Sequence, residues 1–291
     1  MSWLAFTVDV EEWFHVLEVD TAPPRETWES QPRRVERNTR VLLDHLDAAG
    51  VRGTFFTLGW IAERYPDLVR EIARRGHEIA CHGHEHALAF RIGQKAFRED
   101  ALRAKRALED ATGAAVAGYR AAGFSITPET PWAFDELARG GFRYDSSVFP
   151  ARRGHGGFPG GLSVPHRILG PAGGEVVEFP IPPLHLGPFA VPFAGGGYLR
   201  LFPAVFVRAC ARRSLRAGVP VNIYVHPREI DADQPRLALS WKRHFMTYVN
   251  VARGERKVKA LLGAFPPTQF RRLVDVLEKI SSEPPLPVVQ Y

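Results

Sequence analysis

Apolar residues along the chain fall into short continuous runs that alternate with stretches where they recur every three or four positions. These are the patterns of buried strands and of amphipathic helices. Residues 3–10, WLAFTVDV, predict the first strand. Residues 33–49 carry Val35, Val41, Leu42 and Leu46 with polar residues between them and stop at Gly50, which predicts a helix. A second strand, GTFFTLGW, precedes a helix over 61–75 built on Ile61, Leu68, Val69 and Ile72 and ended by Gly76. HEIAC is the third strand. Three strands separated by two helices make a βαβαβ run, which implies parallel pairing and right-handed crossovers.

The pattern continues with a helix near 95–111, a strand in VAGYRAAGFSI that releases Arg120 at its end, a short helix over 131–138, and GFRYDSSVFP with Asp145 at a strand end. Residues 151–200 are rich in Gly and Pro and read as long loops around a cleft, with one strand at EVVEFPI. Within them GGGYLR (195–200) lacks the Lys-Ser/Thr of a phosphate loop, so it is assigned to close packing or a turn. Residues 203–217 read as a helix. VPVNIYVHP is an apolar strand that delivers His226, and Pro227 forbids its continuation. WKRHFMTYV and KVKALLGAF are helical in pattern, and the tail after Ser281 is Pro-rich and reads as irregular. No internal repeat or linker divides the chain.

Composition changes this picture little. With 291 residues and 45% hydrophobic content the chain buries a sizeable core, and 26 Gly with 24 Pro is below the level of low complexity. The net charge of +6 raises the question of a polyanionic partner. No block of five or six like charges exists, however, and Arg70, Arg74, Arg75, Arg208, Arg212 and Arg213 are spread along helical surfaces, so no nucleic-acid partner is expected. Cys81 and Cys210 form no metal-binding spacing and read as two unpaired thiols of a reducing compartment, or as one disulfide. The sequence from Met1 lacks the features of a signal peptide and no window reaches eighteen apolar residues, so the expectation is a soluble cytoplasmic protein without membrane insertion.

The candidate chemistry is densest in HEIACHGHEHALAF. His82 and His86 are four apart, so in a helical turn after Cys81 their imidazoles share one face and one metal ion, while His84 points elsewhere. Asp9 and Glu11 project to one face of the first strand and Glu12 to the other. Asp9, Glu11, His82, His86, Arg120, Asp145 and His226 all stand at or just after strand ends, which share one face in a barrel of parallel strands. Taken singly, each has a plainer reading: a His-rich surface loop, an acidic strand end, Arg120 as a structural ion-pair partner, Asp145 as a turn cap, His226 as a core histidine.

Together these residues resemble the polysaccharide deacetylase, or NodB-homology, family of metal-dependent carbohydrate esterases. TVDVE resembles the family's first motif, HGHEH its H-x-x-x-H metal motif, YRAAGFS the third, YDSSVFP the fourth and YVHP the fifth. HPREIDADQPR with HFMTYVN further resembles the subgroup found with bacterial exopolysaccharide and exosortase loci. Two features depart from the pattern: Val10 separates Asp9 from Glu11 where many members have adjacent aspartates, and Ala121 replaces the usual Pro after the motif arginine.

The resemblance implies a distorted (β/α) barrel of mainly parallel strands with long loops, a single domain over 1–291 in which about 230–291 form a helical extension packed on the barrel. It implies a divalent metal, zinc with cobalt or nickel as alternatives, on Glu11, His82 and His86, with Glu12 as the rival ligand. Asp9 would be the catalytic base, held ionised by Arg120, and His226 the acid, kept charged by Asp145, with His84 the nearest alternative acid in sequence. Three functions follow: N-deacetylation of N-acetylhexosamine units in a bacterial exopolysaccharide or its precursor, hydrolysis of a small cyclic amide or imide as in allantoinase-like relatives, and glycan binding without catalysis, against which the intact acids and histidines argue.

Overall fold

The computed structural model describes residues 2–151, 156–186, 189–280 and 285–291. Its strands are β1 (Leu4–Val10), β2 (Thr54–Thr57), β3 (Glu78–Cys81), β4 (Gly118–Tyr119), β5 (Tyr144–Asp145), β6 (His166–Leu169), β7 (Glu175–Glu178), β8 (Leu184–Leu186), β9 (Phe189–Val191), β10 (Val221–Val225) and β11 (Val288–Gln290). Nine of them form one sheet in the order β10-β1-β2-β3-β4-β5-β7-β6-β11, while β8 and β9 pair as a hairpin. Every neighbouring pair in the large sheet is parallel except β6 with β7. The edge strands β10 and β11 are not paired with each other, so the mainly parallel α/β sheet does not close.

All seven residues of β1 and all five of β10 are buried, as strands covered on both faces require. Alternation then sorts the side chains. Leu4, Phe6, Val8 and Val10 enter the largest apolar cluster, whereas Trp3 and Ala5 join Phe56, Ala80, Tyr144 and Phe179 on the opposite face. Residues Leu273, Val276 and Leu277 of the Leu273–Ile280 helix cover that second face where the strands begin. There the Leu273 and Val274 amides donate to Thr54 Oγ1 and Glu78 Oε2 at the first residues of β2 and β3. The other end, where β1, β3 and β10 finish, is left for the cleft.

Several boundaries differ from the sequence expectation. The helix expected over 61–75 is two, Gly59–Arg64 and Pro66–Arg74, because Pro66 starts a new first turn. The strand expected through VAGYRAAGFSI stops after Tyr119, since Gly123 and Phe124 take positive φ and bend the chain into a 3₁₀ turn. Residues 151–200 are more than loops around EVVEFPI; β6 and the β8–β9 hairpin are also built there. The tail is not wholly irregular either: Val288–Gln290 adds to β6, with the Arg167 amide donating to the Pro287 carbonyl. An edge position suits a Pro-rich segment because the outer side of the strand needs no donor.

Candidate active site

The cleft begins at the end of β1. Asp9 and Glu11 face it, while Val10 between them is core. Glu12 turns the other way and accepts hydrogen bonds from the Arg34 and Val35 amides (2.9 and 3.1 Å), placing a carboxylate at the N-terminus of the Val35–Ala48 helix. Burial pushes the Glu12 carboxyl up despite these bonds. Two adjacent glutamates thus part company just after β1 ends, continuing its alternation.

Asp9 Oδ1 accepts from Arg120 Nη1 at 2.7 Å. The Arg120 guanidinium is 0% exposed and also donates to Thr7 Oγ1 (2.8 Å), Ser146 Oγ (3.0 Å) and the Ser146 carbonyl (3.2 Å), and it lies 3.9 Å from the Phe56 ring centroid. A charge taken fully out of water persists only when paired and hydrogen-bonded in this way.

His82 and His86 do converge, but no helical turn brings them together. The segment from His82 to Leu88 is irregular, and left-handed φ at Gly83 (78°) and His86 (57°) folds it back on itself. Asp100 of the Ala89–Thr112 helix pins the loop by accepting the amides of His84 (2.7 Å) and Glu85 (3.0 Å), and a Cβ at Gly83 would strike that carboxylate at 2.8 Å. The two rings end 5.3 Å apart. His82 Nδ1–H donates to the Arg120 carbonyl at 2.8 Å, which leaves Nε2 as a bare lone pair 3.6 Å from Glu11 Oε1. His86 Nε2 is buried without a hydrogen-bond partner, 3.3 Å from the same oxygen. One ligand atom from each of Glu11, His82 and His86 lies within 4.8 Å of the others, and Asp9, Glu11 and His226 form an overlapping group. A fixed imidazole tautomer, an orphaned buried nitrogen and a carboxylate are the donor set of a divalent-metal site, so these residues fit one. His84 points elsewhere: both its ring nitrogens are buried without partners, Glu63 is 3.8 Å away, and burial takes its pKa down to about 4.

His226 follows β10, its Nε2 lying 3.2 Å from Glu11 Oε1 and 3.9 Å from Asp9 Oδ2. Its Nδ1 meets Glu229 Oε1 at 3.0 Å, and Glu229 Oε2 accepts from Arg200 Nε at 2.7 Å. Burial opposes the His226 charge, yet Glu11 and Glu229 push its pKa up to about 9. Burial likewise opposes the Glu229 charge, but Arg200 and His226 bring that pKa to about 2. Glu11 is held well below the usual carboxylate range: burial raises it, and His86, His226 and Arg228, 3.4 Å away, more than reverse this.

Asp145 does not occupy the position beside His226 that the sequence suggested. Its carboxylate accepts the Ser147 amide (3.1 Å) and hydroxyl (2.7 Å) and sits in register with Glu178 of β7. Burial raises the Asp145 carboxyl, and burial with the Asp145 charge drives Glu178 well above the usual range. The acid beside His226 is Glu229 instead, returned to it by the Pro227–Ile230 3₁₀ turn. That pairing was open to reading in H-P-R-E, because Pro227 starts the turn and three residues complete it. Arg200 comes from GGGYLR, in which Gly195 packs on Tyr224 and Gly196 on the Glu229 carboxylate, where an added Cβ would lie 2.4 and 2.3 Å from those groups. His15 also lines the cleft; its Nδ1 accepts the Glu12 amide at 3.2 Å, which places its proton on Nε2.

These side chains line a cavity of about 510 Å³ that extends past Tyr198 to Lys242 and Met246 of the Trp241–Tyr248 helix. A buried acid with its arginine, a cluster of metal-ligand type and a charged histidine across one cavity are the parts of hydrolytic chemistry.

Comparison with known proteins agrees. Residues 17–139 match the family described as polysaccharide deacetylase, and residues 146–277 match a domain of unknown function (DUF3473). A peptidoglycan-N-acetylglucosamine deacetylase of Bacillus cereus is 32% identical over 75 residues, 26% of this chain and 27% of its own length, so the chain spans about a quarter of that relative. Among solved structures, a putative polysaccharide deacetylase from Mycobacterium smegmatis shares the fold with a TM-score of 0.63 at 21% identity, covering 99% of this chain and 93% of that one. A family 4 carbohydrate esterase from Streptomyces lividans in complex with acetate gives 0.51 at 14% identity over 93% and 91%, and Puue allantoinase 0.62 at 19% over 97% and 91%. His82, His86 and Arg120 lie inside the matched deacetylase segment, Asp9 and Glu11 precede it, and His226 with Glu229 follows in the second matched segment. With its cleft assembled from all three stretches of sequence, the chain shares the fold of the polysaccharide deacetylases and resembles that family through residues 17–139.

Proposed function

We propose that the protein is a divalent-metal-dependent N-deacetylase acting on N-acetylhexosamine units of a bacterial exopolysaccharide or of its precursor, with residues 1–291 as one catalytic domain. The observation that carries this reading is the convergence of Glu11, His82 and His86 beside an arginine-held Asp9 and a charged His226. A divalent ion, zinc with cobalt or nickel as alternatives, supplies Lewis acidity toward the acetamide carbonyl and acidifies water when bound. Glu11, His82 and His86 would hold it.

Arg120 engages Asp9 Oδ1, leaving Oδ2 on the His226 side to accept a proton from the attacking water. His226 then gives its Nε2 proton to the sugar nitrogen as the carbon–nitrogen bond breaks, releasing acetate and an amine. Glu229 and Arg200 hold the imidazole in place, a part the family's fourth-motif aspartate, Asp145, does not take in this geometry. The free, buried Cys81 and Cys210 support a reducing, cytoplasmic location, which cell fractionation checks.

The test is acetate release from a panel of N-acetylated glycans, with metal chelated and restored. Metal-restored release supports the reading. Hydrolysis of allantoin or hydantoins without release of acetate from any glycan would replace it with the cyclic-amide function.

A further inference from the structure

Five of the six large hydrophobic side chains that stand exposed among the described residues lie on two helices: Val205 (62%) and Phe206 at the start of Ala204–Arg216, and Trp241 (83%), Phe245 (51%) and Met246 on Trp241–Tyr248. The sixth is Val288 on β11. Scattered single exposures are ordinary, but a grouped set is not. Of the eight residues in Trp241–Tyr248 only Tyr248 is buried, so packing does not account for the helix's aromatic content. The two groups are linked across the surface. Phe206 meets Phe202 (ring centroids 4.9 Å), Phe202 stacks on Tyr198, and Tyr198 and Met246 line the same cavity, the candidate active site.

Charge follows the same boundary. Residues 179–228 hold six arginines and no Asp or Glu, and residues 234–254 hold Arg236, Lys242, Arg243 and Arg253 and again no acid. Arg208 stands one turn from Val205, and Lys242 three residues from Phe245, so cations flank the apolar side chains on each helix. Exposed Trp and Phe side chains flanked by cations suit a lipid–water interface: rings settle at headgroup depth and cations draw anionic headgroups.

We propose that this face docks the protein on an anionic lipid surface, with the cleft mouth at Lys242 and Met246 directed toward the headgroups. The docking stands on the surface alone. Its consequence, that the acetylated glycan is met while still attached to a membrane lipid, rests on the deacetylase reading.

The experiment is co-sedimentation of the full chain with vesicles of phosphatidylcholine alone and with about one third phosphatidylglycerol. Expected are binding about tenfold or more stronger to the anionic vesicles, weakening with salt, and a similar loss in the double variant Trp241→Ser/Phe245→Ser. Neither residue lines the cleft, so acetate release from soluble chitooligosaccharides should stay within about twofold, and circular dichroism should be unchanged. Val288→Ser should bind as the parent does. No pelleting of the parent with anionic vesicles, undiminished binding by the double variant, or an equal loss in Val288→Ser would each overturn the proposal. So would a double variant that keeps vesicle binding but loses affinity for chitooligosaccharide, which would make the face a glycan platform. A parent that pellets but releases no acetate sinks the deacetylase reading and leaves the docking intact.

Discussion

Arg120 and Arg200 are both buried guanidiniums that hold a carboxylate at the edge of the cleft, and they are held in different ways. Arg120 leaves β4 and finds its partners on neighbouring strands and their ends, Thr7, Asp9 and Ser146, with the face of Phe56 beneath it. Arg200 lies on the short Gly196–Leu201 helix. Besides Glu229 it donates to the carbonyls of Val249 (2.9 Å) and Met246 (3.3 Å), on and just after the Trp241–Tyr248 helix, of which only Tyr248 is buried. One wall of the cleft is fixed by sheet geometry and the other by a charge network between turns and short helices. The first wall should therefore resist loss of single side chains in shape while failing in chemistry, and the second should lose its shape first.

The largest effects should come from the metal-ligand group. Glu11→Ala, His82→Ala and His86→Ala should each lose bound metal and activity together, whereas Glu12→Ala should keep its metal and cost about 1 kcal/mol of stability through the lost helix cap. Metal analysis with thermal melting distinguishes the two glutamates, and metal loss in Glu12→Ala alone would reverse their assignment.

Next in size are the proton-transfer groups. Asp9→Asn and His226→Ala should retain metal and lose about 10²- to 10⁴-fold in kcat. Single-turnover acetate release measures this, and full activity of His226→Ala on an unactivated acetamide would move the acid elsewhere.

The two arginines test the comparison itself. Arg120→Met and Arg200→Met each take the arginine from a buried carboxylate, a loss of up to about 3–5 kcal/mol and smaller at Glu229, which keeps its His226 partner. If the walls differ as described, Arg200→Met should also release the C-terminal segment to protease well below the melting temperature, while Arg120→Met should unfold in one step. Identical digestion patterns would break the contrast.

The smallest effect separates Glu229 from Asp145. Glu229→Gln should lower kcat about tenfold, by analogy with outer-shell partners of metal-bound histidines, and Asp145→Asn should leave it nearly unchanged. In metal-free protein the His226–Glu229 pair also sets a pH window. With its pKa raised to about 9, His226 adds stability that is complete below about 6.5 and fades as pH rises toward 9. With its pKa lowered to about 2, Glu229 adds stability that is complete above about 4.5 and fades as pH falls toward 2. Melting temperature against pH should show both slopes in the parent, while Glu229→Gln should lose the acid one and keep part of the alkaline one, because Glu11 also raises His226.

How far the sequence carried differs between the same two walls. β1, β2, β3 and β10 are continuous apolar runs bounded by Gly, Pro or charge, so their existence, and the delivery of Asp9, Glu11 and His226 at their ends, was legible. The parting of Glu11 from Glu12 was legible too by carrying the alternation of β1 on, although the strand itself ends at Val10. The route by which His82 meets His86 was not. A spacing of four suggested a helical turn, and the loop achieves the same approach through two left-handed residues whose partner, Asp100, lies well along the chain. The resemblance sets Asp145 as the acid beside His226 and does not single out Glu229. Only the turn at Pro227 and the space that Gly196 leaves for a carboxylate decide between them, and neither has a hydrophobic signature. β6, β8 and β11 are three or four residues long, too short for a period to show, and they depend on pairing for their identity.

The position of β1 between β2 and β10 bears on how this chain is made. Leu4 pairs with Val221 and Val10 with Thr57, so one side of β1 is satisfied early and the other only after about two hundred further residues. At synthesis rates of about 5–20 residues per second, that leaves an apolar strand edge open for roughly 10–40 s on the ribosome. Chains that end before Val221 never cover it, and should be recovered as aggregates or bound to chaperones rather than as smaller folded proteins.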